Sequence, residues 1–252
     1  MPRKKKTEIA ENTEKETGQS AEGADIQEEQ TGKHEEKIEN KLSNLFGELK
    51  MELEPPKKQL LIPLEEYVKA GVHLGTKIIS GDMRKYIYRR RADGLAILNT
   101  NLIDEGFREA VKLMSKYSPE EIILVCKREA GWRAANLLSE TTGIRAFPKK
   151  YPAGIMTNPA LKDFFQPSLV IVCDPWIDRN AMNDSSIINI PVIGLCDTNN
   201  LVKNIDLVVP CNNKSNKTLG LAMYILASEY CKARGVPFKA RISDFTGEEV
   251  KE

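Results

Sequence analysis

Short, unbroken apolar runs separated by helix-like segments constrain this fold more than any other feature of the sequence. Four such runs occupy residues 122–126, 169–173, 191–196 and 207–210. Strands that are apolar at every position are typical of a sheet that is buried on both faces. Helix-like patterns separate or flank these runs, at 101–117, from Trp132 to Gly143, at 178–188 and at 215–233. The alternation predicts an α/β domain whose parallel sheet is flanked by helices.

Two further elements precede the first apolar run. Residues 63–72 have the pattern of a short helix that begins near Pro63. Residues 86–90 and 95–98 flank the dipeptide Asp93-Gly94, and Asp-Gly is a strong signal for a tight turn. We therefore predict a β-hairpin ahead of the parallel sheet.

Charge and hydrophobicity divide the 252-residue chain unevenly. Only 13 of the first 58 residues are apolar, and this segment has 11 basic and 14 acidic residues, so it cannot build a core of its own. We predict an extended N-terminal arm over 1–58, an α/β domain over 59–235 and a C-terminal tail over 236–252. Within the arm, apolar residues of 35–53 recur at steps of three and four, which predicts an amphipathic helix. It would pack on its own domain, bind a partner or stay largely unfolded.

The composition argues against several classes of protein. No apolar run is long enough to cross a membrane, and the basic N-terminus is followed by acidic residues instead of the apolar core of a secretory signal. The five cysteines include no CxxC pair, and four of them end or follow apolar runs. We predict buried, reduced thiols in a cytosolic protein and no metal site.

Aspartates follow two of the predicted strands and leave an enzymatic hypothesis open. Asp174 and Asp197 come directly after buried runs, where α/β enzymes bind ligands. A nucleotide- or sugar-phosphate-binding enzyme could use both carboxylates. However, no Gly-rich turn follows any strand, and the Gly71–Lys77 segment only approximates a phosphate loop. Capping of helices or turns is the alternative role for these aspartates.

Basic residues cluster in four segments and favour nucleic-acid binding. The first cluster, within fifteen residues, interleaves Tyr86 and Tyr88 with cations. The clusters comprise Lys77, Arg84, Lys85, Arg89, Arg90 and Arg91; Lys127 and Arg128; Arg145, Lys149 and Lys150 beside Tyr151 in a predicted loop; and Lys214 and Lys217. Cationic loops with aromatic residues suit a phosphate backbone and unstacked bases. A solvated charged surface is the alternative interpretation.

Several ordered motifs from about residue 60 to 235 resemble the universal ribosomal protein S-two family of the small subunit. The motifs that carry the resemblance span residues 70–76, 83–87, 151–158, 193–199 and 209–214. Bacterial members have a coiled-coil insertion shortly after the segment that matches Thr157-Asn158. Only about ten residues separate Asn158 from the next apolar run, so the resemblance is to the archaeal and eukaryotic branch.

The resemblance implies a Rossmann-like (flavodoxin-like) fold without enzymatic activity, cofactor, metal or small-molecule substrate. It implies a cytoplasmic, ribosome-bound structural protein whose partners are small-subunit rRNA and neighbouring ribosomal proteins, with no membrane. A protein-interaction adaptor that uses the 35–53 helix is a further hypothesis. We predict RNA binding by Lys77, Arg84, Lys85, Arg89, Arg90, Arg128, Lys149, Lys150 and Lys214. His73 and Gly75 are predicted to be structural residues beside the RNA-binding face.

Overall fold

The fold is that of a computed structural model of the chain, which describes residues 60–247. The predicted arm over 1–58, with its helix at 35–53, and the end of the predicted C-terminal tail lie outside the described residues. No helix within 60–247 combines the length and the apolar character that crossing a membrane requires.

Five parallel strands form the central sheet of the described residues, and an antiparallel hairpin precedes it. The strands are β1 Ile87–Arg90, β2 Ala96–Leu98, β3 Ile122–Cys126, β4 Arg145–Pro148, β5 Leu169–Val172, β6 Val192–Cys196 and β7 Leu207–Pro210. All four predicted buried strands and the predicted hairpin are confirmed. The sequence did not predict β4, because this short edge strand is only half-buried and has no continuous apolar run.

The order of the strands in the sheet is β4-β3-β5-β6-β7. Strand β3 pairs with β5 in a register that runs from Ile122 opposite Leu169 to Val125 opposite Val172. This is the flavodoxin-like order, and it confirms the predicted fold class. The direction of winding reverses between β3 and β5, so the carboxyl ends of these two strands flank the topological switch point.

Helices cover both faces of the sheet, as the unbroken apolar strands require. They are α1 Leu64–Ala70, α2 Thr100–Met114, α3 Trp132–Thr142, α4 Arg179–Ile187, α5 Asn216–Arg234 and α6 Ile242–Thr246. Successive strand residues point to opposite faces, so Leu124 joins a core with Phe107 of α2 and Leu226 of α5. Val125 faces the other way and packs with Met182 of α4.

The chain continues to pack on the domain after α5. Helix α6 lies in the segment that the sequence assigned to a C-terminal tail, and its Phe245 is buried against α5. The backbones approach so closely that a Cβ on Gly220 would lie 2.6 Å from the Phe245 carbonyl oxygen. The segment is short and largely polar, so its sequence has no helical apolar stripe that would have predicted this contact.

Candidate functional site

The carboxyl edge of the sheet carries a network of buried polar side chains. Asp174, which follows β5, is 2% exposed. One of its carboxylate oxygens accepts a hydrogen bond from the guanidinium of Arg128, which follows β3. The other accepts hydrogen bonds from the Asn200 amide, at 3.1 Å, and from the Trp176 backbone, at 3.0 Å. The Arg128–Asp174 ion pair therefore connects the ends of β3 and β5 across the topological switch point.

The same network extends to the ends of β6 and β7. The Asn200 amide oxygen accepts hydrogen bonds from the Asp197 backbone, at 2.7 Å, and from the Asn213 amide, at 3.0 Å. Asp197 is 1% exposed, and its carboxylate forms an ion pair with Lys214, with 3.3 Å between the nitrogen and the oxygen. Burial raises the pKa of Asp197, and the Lys214 ammonium opposes that shift. Three neighbouring strand ends are thus tied together.

A third aspartate, Asp178, completes the network beneath the loop that follows β5. Its carboxylate accepts hydrogen bonds from the backbone nitrogens of Lys127, at 2.9 Å, and Asp174, at 3.1 Å. Burial raises the pKa of Asp178 to about 7. Sequence reasoning did not select Asp178, Asn200 or Asn213, although each lies within a few residues after an apolar run and could have been grouped with Asp174 on that basis.

These contacts bear on the enzymatic hypothesis. Asp174 and Asp197, its proposed ligand-binding residues, are both buried and already accept hydrogen bonds or an ion pair from the chain. Their observed role is to hold the loops at the carboxyl edge, which agrees with the capping alternative. The Arg128–Asp174 ion pair already occupies the gap between the ends of β3 and β5, where the enzymatic hypothesis would place a ligand.

The backbone around Gly75 packs closely against Thr198 at the carboxyl edge of the sheet. A Cβ on Gly75 would lie 2.4 Å from the Thr198 methyl group, so only glycine fits there without a shift. The Thr76 backbone donates to the Thr198 hydroxyl at 2.8 Å, and the Ser80 backbone donates to the Thr198 carbonyl at 2.8 Å. The backbone carbonyl of His73 accepts from Leu98 of β2 at 2.8 Å. The segment thus connects the hairpin to the end of β6.

Arg90 connects the hairpin to the preceding segment through hydrogen bonds. Its guanidinium donates to the carbonyls of Gly94, at 3.1 Å, and Lys77, at 2.7 Å. Gly94 has φ +87°, which the tight turn between β1 and β2 requires. Arg90 therefore supports the shape of the hairpin with its side-chain donors.

Four other cations of this region face solvent without an acidic partner. Within residues 60–247, no carboxylate forms an ion pair with any of them, whereas Arg91 pairs with Asp93 at 3.4 Å. The four exposed residues are Lys77, Arg84, Lys85 and Arg89. We call them the hairpin cations. Tyr88 beside them is 70% exposed, whereas Tyr86 is half-buried against the core.

The predicted basic loop at 145–151 is divided by the structure. Arg145 begins β4, and its guanidinium lies 4.6 Å from the centroid of the Phe165 ring. Lys149 and Lys150 follow β4 at the carboxyl edge, where Lys149 lies 5.3 Å from the centroid of the Trp132 ring. The prediction of one loop is wrong, because Arg145 is the first residue of the four-residue strand β4, whereas the two lysines follow the end of that strand.

Tyr151 belongs to the core. It is 8% exposed, and its hydroxyl donates to the Asp184 carboxylate at 2.9 Å. It is therefore not available to stack on a base, which the grouping with the basic residues had suggested.

The cysteines are buried thiols, as the sequence predicted. All five are free and buried. Desolvation raises the pKa of the Cys173, Cys196 and Cys211 thiols, which keeps them protonated. Among the described residues, no cluster of His, Cys, Asp or Glu side chains is arranged to hold a metal ion.

Comparison with known proteins relates the chain to one family. Residues 160–233 match the family model described as ribosomal protein S2. The small ribosomal subunit protein uS2 of Nanoarchaeum equitans is 43% identical over 176 residues, which cover 70% of this chain and 88% of that protein. The small ribosomal subunit protein uS2 of Methanoregula boonei is 38% identical over 202 residues, which cover 80% of this chain and 98% of that protein. With identity of this extent over nearly the whole length of both relatives, the chain belongs to the ribosomal protein S2 family.

Proposed function

We propose that this chain is a structural constituent of the small ribosomal subunit and binds small-subunit rRNA. Membership of the ribosomal protein S2 family is the observation that carries the proposal, because both relatives are named as proteins of that subunit. Its partners on the ribosome are the rRNA and neighbouring ribosomal proteins. The network at the carboxyl edge supports this assignment, since Asp174 and Asp197 are buried and hold loops of the chain.

The hairpin cations are the primary rRNA contact in this proposal. Phosphate contacts position a protein on RNA, and they need cations whose charge is not already neutralised. Lys77, Arg84, Lys85 and Arg89 meet that requirement, because they are exposed and form no ion pair within residues 60–247. Lys149 and Lys150, exposed after β4, form a second patch.

Three other predicted RNA-binding residues have structural contacts of their own. Arg128 and Lys214 pair with Asp174 and Asp197, and Arg90 donates to two carbonyls. We assign them first to holding the surface in shape. His73 and Gly75 serve the same purpose through the backbone beside the hairpin.

Salt-dependent binding of the full chain to small-subunit rRNA tests the assignment. Each phosphate contact releases counterions, so affinity falls as the salt concentration rises. Arg84→Ala and Lys85→Ala should each reduce the magnitude of the negative slope of log affinity against log salt by roughly 0.7–1. Lys214→Ala is the matched control, because Lys214 already pairs with Asp197. Lys232→Ala is a second control, because its ammonium pairs with Glu229 within α5. Both controls should keep the parental slope.

Circular dichroism verifies that each variant is folded. If folded Arg84→Ala and Lys85→Ala chains keep the parental slope, the hairpin is not the RNA-binding face. If the parental chain neither binds small-subunit rRNA nor co-sediments with small subunits, the proposed function itself is wrong.

A further inference from the structure

We propose that Trp176 is a stacking platform for an unpaired nucleotide of the RNA that this chain binds, an inference that rests on the proposed function. Trp176 lies in the loop after β5, and it was not among the residues that the sequence singled out. Its side chain is 72% exposed. Within residues 60–247, the indole forms no hydrogen bond or ring contact.

The loop holds this exposed indole on a rigid support. The Trp176 backbone donates to the Asp174 carboxylate at 3.0 Å. The backbones of Ile177 and Asp178 donate to the Asp174 carbonyl at 3.1 and 2.9 Å. Asp174 is itself fixed by Arg128 and Asn200. The backbone that presents the indole is thus fixed before any ligand arrives, which reduces the entropy lost on binding.

Trp176 forms one wall of a groove at the carboxyl edge of the sheet. The opposite wall is the segment that follows β6, where Leu201 is 63% exposed. The Asn200 amide, which also lines the groove, ties the two walls together through Asp174. The groove has a volume of about 420 Å³, which lies within the range of sites that hold small organic groups. A single nucleotide fits that scale.

The charge around the groove favours a nucleotide over a protein segment. Arg179 and Lys203 line it, both are exposed, and neither pairs with a carboxylate of the described residues. Among those residues, no Asp or Glu lines the groove. An exposed aromatic ring in a groove that two such cations also line matches a base and its neighbouring phosphates. An apolar protein segment would leave both cations desolvated and unpaired.

The other tryptophan of the chain, Trp132, differs from Trp176 in its contacts. Its indole nitrogen donates to the Lys127 carbonyl at 3.2 Å, and Lys149 lies over its ring. Trp132 is half-buried and engaged with its own domain, whereas Trp176 is neither. The two tryptophans therefore offer a matched pair for experiment, since the sequence contains no others.

The test measures binding of full-length chains to small-subunit rRNA and to a single-stranded oligouridylate of about eight nucleotides. Trp176→Ala should weaken oligouridylate binding about ten-fold, and Trp176→Phe should retain most of the affinity because its ring still stacks. In the Trp132→Phe chain, whose emission comes from Trp176 alone, oligouridylate should quench the fluorescence. An RNA duplex, whose bases are already stacked, should not quench it.

The outcomes separate this inference from the proposed function. Suppose that the parental chain binds rRNA with the expected salt slope, and that Trp176→Ala binds rRNA and the oligouridylate as tightly as the parental chain does. The inference is then wrong and the proposed function stands. Trp176→Ala that keeps its RNA affinity but fails to enter reconstituted subunits would also overturn the inference, because the groove then holds a protein. Equal unfolding midpoints verify that the exposed substitution leaves the fold intact.

Discussion

The carboxyl edge of the sheet and the β1–β2 hairpin both carry basic side chains, but those side chains have different surroundings. At the carboxyl edge, Arg128 and Lys214 pair with aspartates that are almost completely buried. On and before the hairpin, Lys77, Arg84, Lys85 and Arg89 are exposed and pair with no carboxylate of residues 60–247. The residue types are the same in both regions.

The difference shows that a cation's role depends on the charge it faces. A buried carboxylate must keep its partner, because an isolated charge is costly to remove from water. An exposed cation without an acidic partner costs little stability, because water solvates its charge, and it remains able to bind an external anion. The carboxyl-edge cations should therefore affect stability, and the hairpin cations should affect binding.

The largest expected effect comes from breaking the buried pair. Arg128→Ala leaves the Asp174 carboxylate buried without its cation and should lower the free energy of unfolding by about 3–5 kcal/mol. Arg89→Ala, on the exposed hairpin, should change it by less than about 0.5 kcal/mol. Urea unfolding of both variants measures the contrast. Equal midpoints for the two would remove the distinction between the regions.

A smaller effect should follow from disturbing the contact that joins the two regions. Gly75→Ala places a methyl group against Thr198 and should destabilise the chain by about 1–3 kcal/mol. Gly81→Ala is the control, because a Cβ there meets nothing within 4 Å. Thr198→Ala should offset part of the Gly75→Ala loss in the double variant, although it also removes the hydroxyl that binds Thr76. Strict additivity in thermal or urea unfolding would argue against this contact.

The last expected effect is a pH dependence that arises at the carboxyl edge. Because burial raises the pKa of Asp178 to about 7, the folded chain binds more protons than the unfolded chain between about pH 4 and 7. The stabilising contribution of Asp178 is fully present below that window and is lost as the pH rises through about 7. The slope from this one group is at most about 1.4 kcal/mol per pH unit.

Asp178→Asn should remove that part of the slope. The measurement is the free energy of unfolding of parent and variant across the window. Asp163→Asn, which removes an exposed carboxylate, is the control for the loss of one charge. A parental slope that Asp178→Asn leaves unchanged would show that Asp178 does not titrate there.

The sequence predicted most of the sheet because burial on both faces leaves a direct signal. A strand such as Leu169–Val172 has no solvent side, so all four of its residues are apolar. The edge strand Arg145–Pro148 lacks that signal, since it is only half-buried. The packing of α6 left no signal for a different reason: it depends on a close approach to Gly220, far from it in the sequence.

The sequence by itself determined the fold class, the parallel strands and the clusters of basic residues, because hydrophobic period and charge are local properties of the chain. It placed Arg128 and Arg89 in the same category, since both are arginines in predicted loops or hairpins. Only the tertiary structure decided that Arg128 faces a buried aspartate 46 residues away along the chain, while Arg89 faces solvent. Pairing between distant loops is set by how the strands are ordered in the sheet, and no local pattern encodes that order.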